Sequence, residues 1–236
     1  MQIQIVLVDI NSKMVGAWED TFEDNPEVQI VEGSMLNQQV DAWVTPTNSR
    51  GSMDGGLDAV IKNHFGNVIQ TRVQQEIAKQ FGGLMPVGHA TCVPTGVASP
   101  KYLISVPTMI SSSEDISDTM NVALACAAAF QMVHMQNERE EGSIRSVALP
   151  GLGAATGQVP VEICADLMWT GYNTFLNTRF KSFAAMREQI EDQLDDLNPT
   201  PRHIKLVHEP KPMSDPSQKA TPNSEKTEDF DFDDFE

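Results

Sequence analysis

The sequence predicts an α/β fold: three layers, α/β/α, around a mainly parallel central sheet, with a disordered acidic C-terminal tail. Three observations carry that expectation. Strand-like runs alternate with helix-like repeats through residue 208, the order expected of βαβ crossovers in a parallel sheet covered on both faces. Two glycine-bearing loops, at 48–58 and 150–157, each follow a strand and lead into a helix. From Glu209 onward the chain turns to Pro, Ser, Lys, Thr and acid, a composition that cannot bury a core. The expected organisation is one folded unit over 1–208, ending in a helical and strand extension, and a tail over 209–236.

The elements follow in order. Residues 2–9 run apolar, as a first strand should, and carry neither a basic leader nor a cleavage site. Ser12 can cap a short helix reaching about Phe22. Residues 28–32 and 42–45 read as strands, the second stopped by Pro46. After the first glycine loop, helical repeats cover 57–65 and 68–81, divided at Gly66 and Asn67. Gly82 and Gly83 close them with the residue type that tolerates a left-handed cap. Strands at 89–93 and 102–106 surround a Pro/Thr/Gly turn. A serine-rich loop at 111–113 precedes a long apolar helix from about Ser117 to Gln136, whose many alanines allow close packing on a sheet. Residues 146–149 form a short strand, followed by the second glycine loop and a helix from about Val161. A helix near 183–197 and a strand at 204–207 close the unit.

Charge and composition narrow the function. A net charge of −17 repels phosphate backbones, so direct nucleic-acid binding is not expected. A small phosphorylated ligand stays allowed, because backbone amides hold phosphate without basic side chains. No apolar run approaches the ~18 residues of a membrane span. Cys92, Cys126 and Cys164 are odd in number and lack a paired spacing, which speaks against a disulfide framework or zinc site. They read as buried thiols of a reducing cytoplasm. His64, His89, His134, His203 and His208 stand at no metal-ligand spacing, and neither a metal nor a cofactor is expected.

In open α/β sheets ligands bind at the carboxyl ends of the strands, and both glycine loops belong at that edge. In the first, Gly55 and Gly56 precede a helix whose free N–H groups could meet a pyrophosphate, with Asp58 in its first turn. Asp58 can equally serve only the helix dipole, and Asn48 can be only a turn former. Lys62, one turn on, has the spacing of a salt bridge to Asp58. The second loop, Pro150-Gly151-Leu152-Gly153-Ala154-Ala155-Thr156-Gly157-Gln158, is neither a P-loop nor a dinucleotide fingerprint. Its run of small residues suggests backbone approaching a ligand.

Together these segments resemble the macrodomain family. Val31-Glu32-Gly33-Ser34-Met35-Leu36 and Val40-Asp41-Ala42-Trp43-Val44-Thr45-Pro46-Thr47-Asn48 are similar to its early turn and the strand ending in asparagine. Gly55-Gly56-Leu57-Asp58 resembles its glycine-rich loop, residues 102–109 its central strand with Pro107, and 150–157 its late phosphate loop. The Met-Asp-Gly-Gly-Leu-Asp wording is similar to a subgroup found in bacteria and phages. The resemblance covers roughly residues 1–179.

It implies that ADP-ribose or a derivative binds, with Ser34, Met35, Gly55, Gly56, Leu57, Pro107 and 151–158 (Gly151, Leu152, Gly153, Ala154, Ala155, Thr156, Gly157 and Gln158) forming the binding site. By the same resemblance Asn48 would hold the distal ribose, and Asp58 would position or activate water near the anomeric carbon. It implies hydrolysis of an ADP-ribosylated protein, ADP-ribose phosphate or O-acetyl-ADP-ribose, or else a reader without turnover. Three positions depart from the family pattern. Ser34 stands at the adenine-binding aspartate, Thr45 at the first asparagine of a pair, and Ala155-Thr156-Gly157-Gln158 where an aromatic residue covers the ribose.

The tail carries nine acidic against three basic residues, and −6 of the total charge. Purely solvating tails need no phenylalanine, yet Phe230, Phe232 and Phe235 lie among the aspartates. Residues 228–236 resemble the acidic-aromatic tip with which single-stranded-DNA-binding proteins recruit protein partners. Either a short docking motif or an acidic tail without a dedicated partner fits, and a scaffold acting through the tail is a third function. If it docks, deleting residues 227–236 is expected to abolish co-purification of the partner while calorimetry finds the affinity for ADP-ribose unchanged.

Overall fold

Alternation along the central strands decides the layering. In the computed structural model, which describes residues 3–177 and 180–197, side chains of successive residues enter two separate apolar cores. Ile5 and Leu7, Ala42 and Val44, Ile104 and Val106, and Val147 and Leu149 face one core; Val6 and Val8, Trp43, Leu103 and Ala148 face the other. This is the period-two geometry of strands buried on both faces.

The elements are β1 (Gln4–Asp9), α1 (Ser12–Thr21), β2 (Val28–Glu32), a 3-10 turn (Met35–Asn37), β3 (Ala42–Asn48), α2 (Gly56–Phe65), α3 (Asn67–Phe81), β4 (Thr91–Pro94), β5 (Tyr102–Met109), α4 (Asn121–Arg139), β6 (Ser146–Leu149), α5 (Val161–Asn177) and α6 (Phe183–Leu197). The six strands lie in the order β2-β1-β6-β3-β5-β4. All pair in parallel except β4, which runs antiparallel to β5 at the edge. Residues of α1, α4, α5 and α6 fill the first core and those of α2 and α3 the second. The three-layer α/β/α architecture is the one the sequence predicts. No helix among the described residues is long and apolar enough to cross a membrane. These residues belong to one compact unit, Met1–Pro199. The expected strand at 204–207, the boundary at 208 and the acidic tail all lie outside the described residues.

Several boundaries differ from expectation, each for a local reason. The cap of α1 is Asn11, whose side chain accepts from the Lys13 N–H, and Ser12 is already helical. β3 does not stop at Pro46 but runs on to Asn48. β6 pairs with it only at Ala42 and Trp43, so its later residues have a free edge that tolerates a missing N–H. β5 lengthens with it, to Met109. α4 begins at Asn121, not Ser117. Ser117 bonds to Asp115 and Thr119 to the Ile116 carbonyl, and these local side-chain bonds compete with the helix. His89 is tied into a turn on Pro86, which delays β4 to Thr91.

α4 is buried along most of its length, and its alanines let α5 approach closely. The contact is tightest at Gly171. A Cβ there would collide with the Ala123 carbonyl oxygen and stand 3.0 Å from the Ala127 nitrogen. Gly16 in α1 is the opposite case, since a Cβ there meets nothing within 4 Å. Gly171→Ala is expected to lower stability in urea denaturation by about 1–3 kcal/mol through overpacking. Gly16→Ala should raise it by about 0.5–1 kcal/mol, the ordinary helical preference for alanine.

Candidate functional site

Parallel pairing brings the ends of four strands to one sheet edge: β1 at Asp9, β3 at Asn48, β5 at Met109 and β6 at Leu149. A cleft of 570 Å³ opens over these ends, walled by both glycine loops. Its size suits a ligand larger than a single sugar or base.

The first wall is built outward from β3. Asn48, at the strand end, accepts from the Arg50 and Ser52 N–H groups at 3.0 and 3.2 Å. Its amide donates to the Ser52 carbonyl at 3.1 Å and to Ser112 Oγ at 3.0 Å. Asn48 therefore staples the loop to the serine-rich segment after β5, with every polar position of its amide in use. Seven residues on, Gly55 caps α2 with extended backbone and no side-chain bond. It lines the cleft, and a Cβ there would meet nothing within 4 Å. The amino end of α2, with its dipole and free N–H groups, therefore borders the cleft.

Asp58 lies in the first turn of that helix and is only 6% exposed. Its carboxylate turns inward beneath β3, where Thr45 Oγ1 donates to Oδ1 at 2.5 Å. Burial pushes its pKa up to about 7, against the opposing pull of the Thr45 and Thr47 hydroxyls; Asp54 adds to the rise. Thr47 Oγ1 lies near this carboxyl without meeting hydrogen-bond geometry, and it is a buried hydroxyl without a protein partner. Lys62 does not pair with Asp58. It pairs with Asp54 at 2.7 Å and Gln70 at 3.2 Å, while the Asp58 carboxyl is bonded to Thr45.

The second wall is the 150–157 loop. Its entry is pinned by Asp9, whose Oδ2 accepts from the Gly151 N–H at 3.2 Å. Its close turn requires glycine twice. Gly153 has φ +94°, and a Cβ would stand 3.0 Å from Ile116; at Gly157 a Cβ would press on the Gly153 carbonyl at 2.7 Å. The carbonyls of Gly153, Ala155 and Gly157 accept bonds from Val159, Gln158 and Ile116. The N–H groups of Gly153, Ala155, Thr156 and Gly157 donate to no acceptor among the described residues, while that of Ala154 is directed at the Cys164 thiol. Unpaired amides of this kind opposite a helix amino end form a site for anionic oxygen.

Ser34, Met35, Asn48, Gly55, Gly56, Leu57, Asp58, Gly151, Gly153, Ala155, Thr156 and Gly157 all line this cleft. Pro107 is buried in β5 opposite Thr47, and Leu152 is fully buried in the first core; neither is on the wall. Ala154 packs against the same core, while Gln158 is exposed with φ +61°, and both stand off the wall. Ser34 caps the 3-10 turn through a bond from the Leu36 N–H. Sequence reasoning missed Asp9, Ile10, Thr47 and Ser112, which also line the cleft. Asp9 was open to discovery as the last residue of a parallel strand. Ser112 was not, since only β5's added length brings its loop over Asn48.

Among the described residues no cluster of His, Cys, Asp or Glu could hold a metal. His64 packs on Trp43 and Phe65, and His89 on Phe81 and Phe183. The three thiols are free; burial pushes Cys92 and Cys164 up to about 12 and Cys126 higher still.

Comparison with known proteins decides the family. The Macro domain family model matches residues 44–168, a span that contains both walls of the cleft. The chain belongs to the Macro domain family. That family is known to bind ADP-ribose. An uncharacterised protein of Aquifex aeolicus is 31% identical over 142 residues, covering 60% of this chain and 78% of its own length. A macro domain-containing protein of Caldanaerobacter subterraneus is 25% identical over 141 residues, with 60% and 76% covered. Among solved structures, the macrodomain of Mycobacterium tuberculosis DarG superposes with a TM-score of 0.50 at 22% identity, over 60% of this chain and 86% of that one. A mutant of the Oceanobacillus iheyensis macrodomain gives 0.51 at 13% identity, over 70% and 90%. These two share the fold.

The buried acid of this macro domain makes its stability depend on pH. A carboxyl raised from its ordinary value to about 7 holds its proton more tightly folded than unfolded. Its contribution is therefore full at low pH and is lost as pH rises from about 4 to about 7. Asp58→Asn, neutral at every pH, removes that loss. In urea titrations its stability relative to the parent is expected to rise by about 2.6 kcal/mol from pH 5 to pH 8. An equal difference at the two pH values would mean that Asp58 titrates as an ordinary carboxylate.

Proposed function

We propose that this macro domain binds ADP-ribose or a close derivative in the cleft and hydrolyses it at the anomeric carbon of the distal ribose. The observation that carries the reading is the meeting of two kinds of group: free amides within 153–157 and the amino end of α2, and beside them the buried carboxyl of Asp58. The amides suit the diphosphate. The backbone of 55–57 and of 153–157 clamps it, with Ser34 and Met35 at the base-binding end and Asn48 orienting the distal ribose.

An acid with a pKa near 7 is poised to take a proton at neutral pH. In the proposed step a water oxygen bonds to the anomeric carbon and the bond to the leaving group breaks. The water's proton passes to the Asp58 carboxylate, while the free amides hold the negative diphosphate in place. ADP-ribosylated protein and ADP-ribose phosphate carry their leaving group on that carbon; in O-acetyl-ADP-ribose the same water would attack the ester carbonyl carbon and release acetate. The free thiols, Cys126 and Cys164 buried and Cys92 half-buried, fit a reducing cytoplasm.

One observation favours a second reading, a reader or sequestering protein without turnover. All four polar positions of Asn48 are bonded within the loop, so a ribose hydroxyl must displace Ser112 to reach it. Calorimetric titration with ADP-ribose tests both readings, and absence of saturable binding would remove both. If the enzyme reading holds, Asp58→Ala keeps ADP-ribose affinity and loses about 10²–10⁴-fold in turnover of an ADP-ribosylated protein or ADP-ribose phosphate. Binding with no turnover by the parent protein leaves the reader, and full activity of Asp58→Ala removes Asp58 from the chemistry.

A further inference from the structure

A second cavity, of 390 Å³, opens at the opposite end of the sheet, between the carboxyl-terminal halves of α4 and α5 and the start of β1. Its floor is Ile3 and Ile5. Three aromatic rings stand in its wall: Phe130, Tyr172 and Phe175. Phe130 lies between the other two, 5.5 Å from Tyr172 and 5.7 Å from Phe175, centroid to centroid. Three carboxylates share the wall, Glu27, Glu138 and Glu141, and no Lys or Arg does.

The charge at this cavity has a fixed sign. Tyr172 donates its hydroxyl to Glu27 Oε1 at 2.5 Å, and this bond holds the carboxyl below the usual range, so Glu27 is anionic. Glu138 is placed against His134, Nε2 to Oε1 at 3.2 Å. α4 ends at Arg139 and α5 at Asn177, so the negative ends of two helix dipoles border the same space. Apolar floor, aromatic wall, carboxylate rim and two helix carboxyl ends all favour one ligand chemistry. The isoleucines and the rings suit a hydrocarbon part, and carboxylates with helix carboxyl ends favour a cation over an anion.

We propose that this cavity is a binding site for a small organic cation, an alkylammonium whose hydrocarbon part rests on Ile3, Ile5 and the rings. It is separate from the nucleotide cleft, which lies at the other ends of the same strands, and it does not depend on the function proposed above. The phosphate-bearing ligands suited to the cleft find no helix amino end here, among the described residues, to offset the carboxylates.

Choline and its neutral carbon isostere, dimethylbutanol, differ in charge and little in shape, and they make the test. In calorimetric titrations of the full chain, choline is expected to bind saturably and the isostere at least about tenfold more weakly, or about 1.4 kcal/mol. Glu141→Gln, an exposed position that cannot disturb the core, and Glu27→Gln are each expected to weaken choline several-fold. Affinity for ADP-ribose should be the same in both variants as in the parent. Amide shifts on choline addition should centre on Gly142 and Phe175. Equal binding of the isostere, no saturable choline binding, or parent-like choline affinity in Glu141→Gln would each overturn the proposal.

Discussion

The site rests on the parallel pairing of β3 with its neighbours. Because β1, β6, β3 and β5 run the same way, every loop that leaves their carboxyl ends emerges at one edge. The walls of the cleft are 100 residues apart in the chain, as the spacing of Pro150 from Arg50 illustrates, and the sheet alone makes them neighbours. β3 then continues past the point where β6 leaves it. That extension carries Thr45 and Thr47 under α2 and Asn48 to the serine loop. A strand ending at Pro46 would leave the first wall without its base.

The cleft combines two environments that would conflict in a uniform pocket. Along the 153–157 loop and the amino end of α2, backbone dipoles present positive partial charge without any basic side chain. A strongly acidic protein can therefore still offer an anion site. A few residues away, Asp58 is removed from water and its negative form is disfavoured. Burial, not a neighbouring charge, is the main cause. Lys62 offsets it only in small part, because its ammonium is paired with Asp54. The acid is thus kept near the pH at which it can exchange a proton.

The opposite end of the sheet shows the same physics with the signs reversed. The amino end of α2 faces the cleft, and the carboxyl ends of α4 and α5 face the second cavity. Parallel strands with crossover helices produce this polarity automatically, since each helix returns antiparallel to the sheet. Side chains then reinforce it. At the cleft they do so only through glycines that leave backbone amides open, since Asp9, Asp54 and Asp58 also line it; at the other end Glu27, Glu138 and Glu141 add to the negative helix ends.

The alternation of patterns was enough to establish the α/β class, nearly every element, and both loops, because apolar period and glycine placement are local properties of the chain. Resemblance added the family, and the family-model match over 44–168 agrees with it. What tertiary structure alone decided was orientation. It determined that Asp58 bonds to Thr45 and not to Lys62, that Asn48's amide is consumed by Arg50, Ser52 and Ser112, and that Leu152 and Pro107 sink into the core while their neighbours face the cleft. Residue type and spacing specify which groups are near one another along an element. The direction in which each points depends on what packs against it, and those partners lie tens of residues away.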